Sequence, residues 1–282
     1  MEIIATVKEM QQHSEQLRQK GKTIAFVPTM GYLHEGHRAL MREGKARGDV
    51  LIISIFVNPT QFGPKEDYEQ YPRDMQRDLK LVQKVGVDII FTPSAQEMYP
   101  DGFQTVVEVE GVTQNLCGIS RPGHFRGVTT VVAKLFNIVK PHIALFGQKD
   151  YQQLITIKRM VEDLNMDTEV IGIPTVRERD GLAMSSRNAY LSPKKRKEAA
   201  QLHRALRKGE ELFRQGKRNS ATILTTVRGI IEEIKPTKID YINICDAHTL
   251  EDIEEIKNEA IIAMAVQIGK TRLIDNIILK EV

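Results

Sequence analysis

Four short apolar-rich runs punctuate the first two-thirds of the chain: Ile24 to Val27, Val50 to Val57, Asp88 to Phe91 and Ile143 to Phe146. The second, VLIISIFV, shows no apolar–polar alternation. A strand reads that way when both of its faces are covered. Between and after these runs lie stretches with helix-like spacing, Glu35 to Arg47, Arg73 to Lys84, Thr129 to Val139 and Tyr151 to Asn165. Strand and helix in alternation predict a Rossmann-like α/β fold, a doubly wound parallel sheet. Such sheets bind ligands beyond the carboxyl ends of their strands. His34, Asn58 to Gln61, and Gly147 to Asp150 each follow a strand-like run, so three chemically rich loops are predicted on one rim.

The pattern changes after about Val176. Two long helical stretches, Pro193 to Gln215 and Ser220 to Ile234, precede three strand-like runs, Ile239 to Cys245, Ala260 to Ile268 and Arg272 to Leu279. Helices followed by strands predict a second, smaller α+β domain. The polar, aperiodic stretch RERDGLAMSSRN (Arg177 to Asn188) is the expected joint, giving domains 1–176 and 177–282.

Charge and composition narrow the function classes. The net charge is +3 over 282 residues, too small to point to nucleic acid. The basic run Lys194 to Lys197 reads as a solvated helix start. Cys117 and Cys245 are the two cysteines, far apart, which excludes a disulfide framework or a cysteine-rich zinc site and fits a reducing cytoplasm. No run approaches the ~20 apolar residues that span a bilayer. The start of the chain carries Glu2 and Lys8 and shows no signal-peptide pattern. The expectation is a cytoplasmic protein with neither membrane nor nucleic-acid partners.

Against that background, His34-Glu35-Gly36-His37 stands out. It follows TIAFVPTMG and opens a helix-like stretch. Imidazoles in a first helical turn lie beside unpaired backbone N–H groups and the positive end of the dipole, an arrangement suited to phosphate oxygens. A solvated helix start carrying two histidines is the plainer alternative. The spacing is one residue short of the His-Glu-x-x-His of zinc helices.

Gly147-Gln148-Lys149-Asp150 offers a turn, an ammonium and a capping or ribose-binding carboxylate; alone it reads rather as a simple capped helix. Met184-Ser185-Ser186-Arg187 offers hydroxyls and a guanidinium, or simply a polar linker. Gln61 and Gln153 suit the hydroxyls or carboxylate of a small polar substrate, and Arg121 to His124 is a turn carrying a cation and an imidazole. The dinucleotide fingerprint and the G-x-S-x-G elbow are both missing. Gly269-Lys270-Thr271 imitates a P-loop but lies between two strand-like runs.

Six segments, FVPTMGYLHEGH, SIFVNPTQFGPKEDYEQYPRD, RPGHFRGVTTVVAKLFNIVKP, FGQKDYQQL, VRERDGLAMSSRNAYL and RLIDNIIL, occur in this order across nearly the whole chain. Together they resemble the pantothenate synthetase (pantoate-beta-alanine ligase) family of the histidine-signature nucleotidyltransferases. The resemblance implies ATP-dependent joining of pantoate to β-alanine through a pantoyl adenylate, with Mg²⁺ accompanying ATP, in a homodimer. It implies His37, His34 and Lys149 as catalytic groups. It implies an ATP site of Met30, Gly31, Tyr32, Leu33, His34, Glu35, Gly36, His37, Gly147, Gln148, Lys149, Asp150, Val176, Met184, Ser185, Ser186 and Arg187. Gln61 and Gln153 would hold pantoate, with Gln61 also where β-alanine approaches. Metal ligands are not assigned, and Asp78 is only a weak magnesium candidate. Three other functions compete: a nucleotidyltransferase acting on a phosphorylated acceptor, a tRNA-binding relative, and a non-catalytic nucleotide-binding protein.

Overall fold

The runs richest in Val and Ile become the central strands. A computed structural model describes residues 1–64 and 66–281. They form two units, Met1–Val109 with Arg121–Gln148 and Gln153–Pro174, and Glu110–Ser120 with Lys149–Gln152 and Thr175–Val282.

The first unit is built on β1 (Glu2–Ile4), β2 (Ile24–Thr29), β3 (Val50–Ile55), β4 (Ile89–Phe91), β5 (Ile143–Gly147) and β6 (Glu169–Ile173). Its helices are α1 (Val7–Gln19), α2 (Glu35–Arg47), α3 (Met75–Val85), the short α4 (Ala95–Met98), and α6 (His124–Val139). The short α5 (Cys117–Ser120) belongs to the second unit, and α7 (Tyr151–Asp163) starts there and continues in the first. All six strands pair parallel, in the order β1-β4-β3-β2-β5-β6. From β2 the order runs outward through β3 and β4 on one side and β5 and β6 on the other, with β1 added beyond β4, so the sheet is doubly wound with its switch point between β2 and β5.

Both faces are covered, which explains the unbroken apolar runs. Ala25 and Val27 of β2 join Leu40 and Met41 of α2 and Val82 of α3 in one buried cluster. On the other parity, Phe26 meets Phe136 of α6 edge-on at 6.5 Å, and Phe136 meets Phe146 at 6.4 Å. Each such aromatic, fully buried, contributes about 1.5–3 kcal/mol.

Three local differences from the sequence reading have physical causes. The edge strands β1 and β6 were not foreseen. One is three residues long, the other opens on an exposed Glu169 and contains Gly172, so neither carries a strong apolar signal. α6 begins at His124 rather than Thr129, because left-handed Gly123 (φ 79°) turns the chain into the helix. The stretch Pro193 to Gln215 is two helices, α8 (Pro193–Ala199) and α9 (Gln201–Arg214), meeting at Ala200.

In the second unit, β7 (Lys238–Asp246), β8 (Ala260–Ile268) and β9 (Thr271–Leu279) form an antiparallel sheet in that order. Leu202, Leu206 and Phe213 of α9 and Ile223, Val227 and Ile231 of α10 (Ser220–Glu233) share one core with Ile262, Met264 and Val266 of β8. A Cβ on Gly209 would lie 2.5 Å from Ile262 Cδ1, so glycine sets how closely α9 approaches the sheet. The P-loop imitation is a hairpin turn: Ile268 pairs with Thr271, and Gly269 sits between them at φ 64°.

Candidate active site

The His-x-Gly-His segment forms the entry to α2, directly after the carboxyl end of β2. His34 is the N-cap, and its Nδ1 accepts from Gly36 N at 3.2 Å. His37 reaches back, its Nδ1 accepting from His34 N at 3.2 Å. The pair is a capping box made of imidazoles. Backbone N–H groups can only donate, so both Nδ1 atoms are unprotonated acceptors. Each neutral ring therefore carries its proton on Nε2. The rings lie 4.0 Å apart, centroid to centroid. The first turn of α2 thus holds two N–H donors of one tautomer at the positive end of a 13-residue helix.

The turn before them is clamped by α3. Gly31 (φ 80°) and Tyr32 (φ 48°) are left-handed, which aligns successive backbone amides as an anion-binding nest. The occupant is Asp78, 1 % exposed, whose two carboxylate oxygens accept from Tyr32 N and Leu33 N, each at 2.7 Å. Arg77 donates to Leu33 O at 2.8 Å and lies over the Tyr32 ring at 4.6 Å. A Cβ on Gly31 would stand 3.0 Å from Ile55 Cγ2 and 3.2 Å from Asp78 Oδ2, so the nest needs glycine there. Burial raises the Asp78 carboxyl above its ordinary range, against the pull of the two amides and Arg77. Glu35 spends its carboxylate on Arg38 and Arg42, at 2.7 and 2.5 Å.

Gln61 closes the 3-10 turn Pro59–Gln61 that follows β3 and is 9 % exposed. Its Nε2 lies 3.3 Å from Met30 Sδ, which brings two of the residues expected from sequence together. Its backbone carbonyl is held by His124 Nδ1 at 2.8 Å and Arg121 Nη2 at 3.3 Å. A carbonyl only accepts, so His124 donates through Nδ1 and receives Arg121 Nη1 at Nε2, 2.9 Å away. Arg121 also forks onto Glu66, at 2.7 and 2.6 Å. Burial would raise the Glu66 carboxyl, but that ion pair outweighs it and holds the group below its usual range. The Arg121 to His124 turn therefore supports Gln61 from behind. Gly147 ends β5, Gln148 opens the next turn, and Gln153 is half-buried on α7.

The other expected residues lie in the second unit. Val176 and Met184 face each other across a small hairpin, Met184 N donating to Val176 O at 3.0 Å, with Arg177 bridged to Ala183. Ser185 caps the 3-10 helix Ser186–Tyr190, accepting from Arg187 N at 3.3 Å, and Ser186 is buried. β9 anchors this hairpin and Lys149 together. Asp275, 2 % exposed, takes both arms of Arg177 at 2.7 and 3.0 Å, and Asn276 donates through Nδ2 to Lys149 O at 2.8 Å. Lys149 Nζ stands 3.7 Å from Asp150. Asp78, Asn58, Asp275 and Asn276 were not picked out as supports by sequence reasoning. The RLIDN segment was the visible signal for the last two.

A doubly wound parallel sheet with paired imidazole donors on the helix that follows its β2 strand is the framework of a nucleotide-binding α/β enzyme. The chain belongs to the pantoate-beta-alanine ligase family, whose model matches residues 2–278. It is 59 % identical over 281 residues to the pantothenate synthetase of Syntrophus aciditrophicus, covering 100 % of this chain and 98 % of that one. It is 57 % identical over 279 residues to that of Thermotoga neapolitana, covering 99 % and 100 %. Among solved structures, it is similar to pantothenate synthetase from Thermus thermophilus, with TM-score 0.93, 46 % identity and 98 % and 99 % of the two chains covered. It is also similar to the Francisella tularensis pantoate-beta-alanine ligase complexed with beta-gamma ATP and beta-alanine, with TM-score 0.81, 36 % identity and 98 % and 97 % covered.

No cluster of three or more His, Cys, Asp or Glu suited to a metal ion occurs among the described residues. Asp78 has both oxygens committed to backbone amides. No helix among the described residues is long and apolar enough to cross a membrane.

Proposed function

We propose that this chain carries out its family's ligation in two steps through an acyl adenylate. A pantoate carboxylate oxygen attacks the α-phosphorus of ATP, and the bond to pyrophosphate breaks. The β-alanine amine then attacks the acyl carbon, AMP departs with the bonding pair, and the amine gives up a proton. Charge grows on the departing pyrophosphate in the first step, so fixed donors there lower the barrier. The observation that carries this reading is the imidazole capping box, which holds His34 and His37 as Nε2–H donors at a helix N-terminus. Their tautomer is set before ATP arrives, so no reorganisation is needed at the moment of reaction.

The remaining assignments follow the family resemblance. Met30 to His37, Gly147 to Asp150, Val176 and Met184 to Arg187 bind ATP, Lys149 and Arg187 supplying charge. Gln61 and Gln153 hold pantoate, and Gln61 also lies where β-alanine approaches. Magnesium would accompany ATP in this reading and would offset charge on its phosphates. The same resemblance supports a cytoplasmic homodimer acting on small molecules, with no nucleic acid or membrane involved.

The test is an AMP-formation assay with pantoate and β-alanine each omitted in turn, run beside pantoate-dependent pyrophosphate exchange. AMP release requires both acids, whereas exchange requires pantoate alone. His37→Ala lowers the exchange rate by roughly a hundredfold, the loss of one charge-stabilising donor. Exchange without pantoate, or undiminished in His37→Ala, removes the reading.

A further inference from the structure

Gln61 has a partner set that determines which end of its amide meets a ligand. Its Oε1 accepts from Asn58 Nδ2 at 3.0 Å, and Asn58 is 1 % exposed. The second hydrogen of that Nδ2 goes to Gly127 O at 3.1 Å. On its other side, Asn58 Oδ1 accepts from the Tyr99 hydroxyl at 2.7 Å, from Thr60 Oγ1 at 3.0 Å and from Thr60 N at 3.4 Å. Polarity therefore passes in one direction. Phenol and backbone donors set the Asn58 oxygen, Asn58 nitrogen sets the Gln61 oxygen, and Gln61 Nε2 is left facing Met30 Sδ at 3.3 Å. A thioether is a weak acceptor, so that nitrogen is the group Gln61 presents for binding.

We propose that Tyr99 is a positioning residue for the acid substrate: its hydroxyl locks the Asn58 amide, and through it turns Gln61 so that an N–H donor, and not the carbonyl, meets pantoate. This rests on the reading that Gln61 holds pantoate. A donor-only face accepts a carboxylate or hydroxyl oxygen, both of which pantoate supplies. Of the donors on Asn58 Oδ1, the phenol is the shortest, and the Thr60 backbone N–H is the longest and weakest. Burial pushes the Tyr99 phenol above its ordinary value, so it remains a donor throughout the neutral range. The ring is held edge-on to Phe103 at 5.1 Å and tilted against Phe56 at 6.4 Å, so Tyr99→Phe keeps the packing and removes only the hydroxyl.

The experiment is a double-mutant cycle on Tyr99→Phe and Gln61→Ala. It is read as kcat/KM for pantoate and as KM for ATP in pyrophosphate exchange, with melting temperature alongside. Tyr99→Phe lowers kcat/KM for pantoate roughly tenfold, the value of one lost hydrogen bond to a buried amide. It moves KM for ATP by less than about twofold, since no ATP group is engaged. In the Gln61→Ala background the same substitution adds less than about twofold, because the amide it orients is gone. A tenfold effect that persists without Gln61 overturns the relay and makes Tyr99 an independent contact. Parallel loss of pantoate and ATP affinity with a lowered melting temperature overturns it in favour of general loosening. Should Gln61→Ala alone leave pantoate kinetics unchanged, the pantoate role of Gln61 fails, and the relay with it.

Discussion

Asp78→Asn is the sharpest probe of how the histidine turn is held. The change is nearly isosteric, but one oxygen that accepts a 2.7 Å bond from Tyr32 N or Leu33 N becomes an NH₂ group. Donor then faces donor. A hydrogen bond to a charged acceptor is worth about 1.5–3 kcal/mol, and a buried N–H left without an acceptor costs about 1–3 kcal/mol more. Removing a buried charge returns part of this, since burial already pushes the Asp78 carboxyl upward. The net is roughly 2–3 kcal/mol, which lowers the melting temperature by roughly 5–10 °C in a unit of this size.

The functional effect is larger than the stability effect. Leu33 leads straight into the N-cap His34, so a loosened turn misplaces both imidazoles. Pantoate-dependent pyrophosphate exchange in Asp78→Asn falls at least about tenfold below the parent at a temperature where both are folded. Thermal unfolding by circular dichroism and exchange with labelled pyrophosphate are the two assays. A variant that melts within about 1–2 °C of the parent (a shift worth under about 1 kcal/mol) and exchanges at full rate would show that the filled nest does not hold the turn.

Two other changes read separate parts of the site. Gly127→Ala places a methyl against the Thr60 carbonyl and 2.7 Å from Gln61 Cα, backbone that cannot yield cheaply. It destabilises by roughly 3 kcal/mol, whereas Gly229→Ala, with open space in α10, gains about 0.5–1 kcal/mol; urea unfolding of both checks the contrast. Glu66→Gln tests the fork to Arg121. Glu66 is held below its usual range in the fold, so the pair's contribution is complete above the unfolded value of about 4.5 and is lost as pH falls through the lower folded value. The parent therefore loses stability on that acid limb, and Glu66→Gln loses less, in urea midpoints measured from neutral pH downward.

What the sequence shows and hides follows contact distance along the chain. The central strands were legible because burial on both faces leaves an unbroken apolar run. The edges β1 and β6, short and part charged, left none. His34 and His37 were legible because their chemistry lies within four consecutive residues. Their supports were not: Asp78 meets Leu33 across 45 positions, Tyr99 meets Asn58 across 41, and Asp275 meets Arg177 across 98. No periodicity encodes such pairings; they exist only once the strands are ordered. Arg121 to His124 was visible as a turn with a cation and an imidazole, but its target, the Gln61 carbonyl, was not.

Transfer of heavy oxygen tests the adenylate most directly. Pantoate labelled in its carboxylate, turned over once with unlabelled ATP and β-alanine, passes one labelled oxygen to the phosphoryl group of AMP and none to pyrophosphate. AMP free of label, or label in inorganic phosphate with ADP as the nucleotide product, contradicts the account.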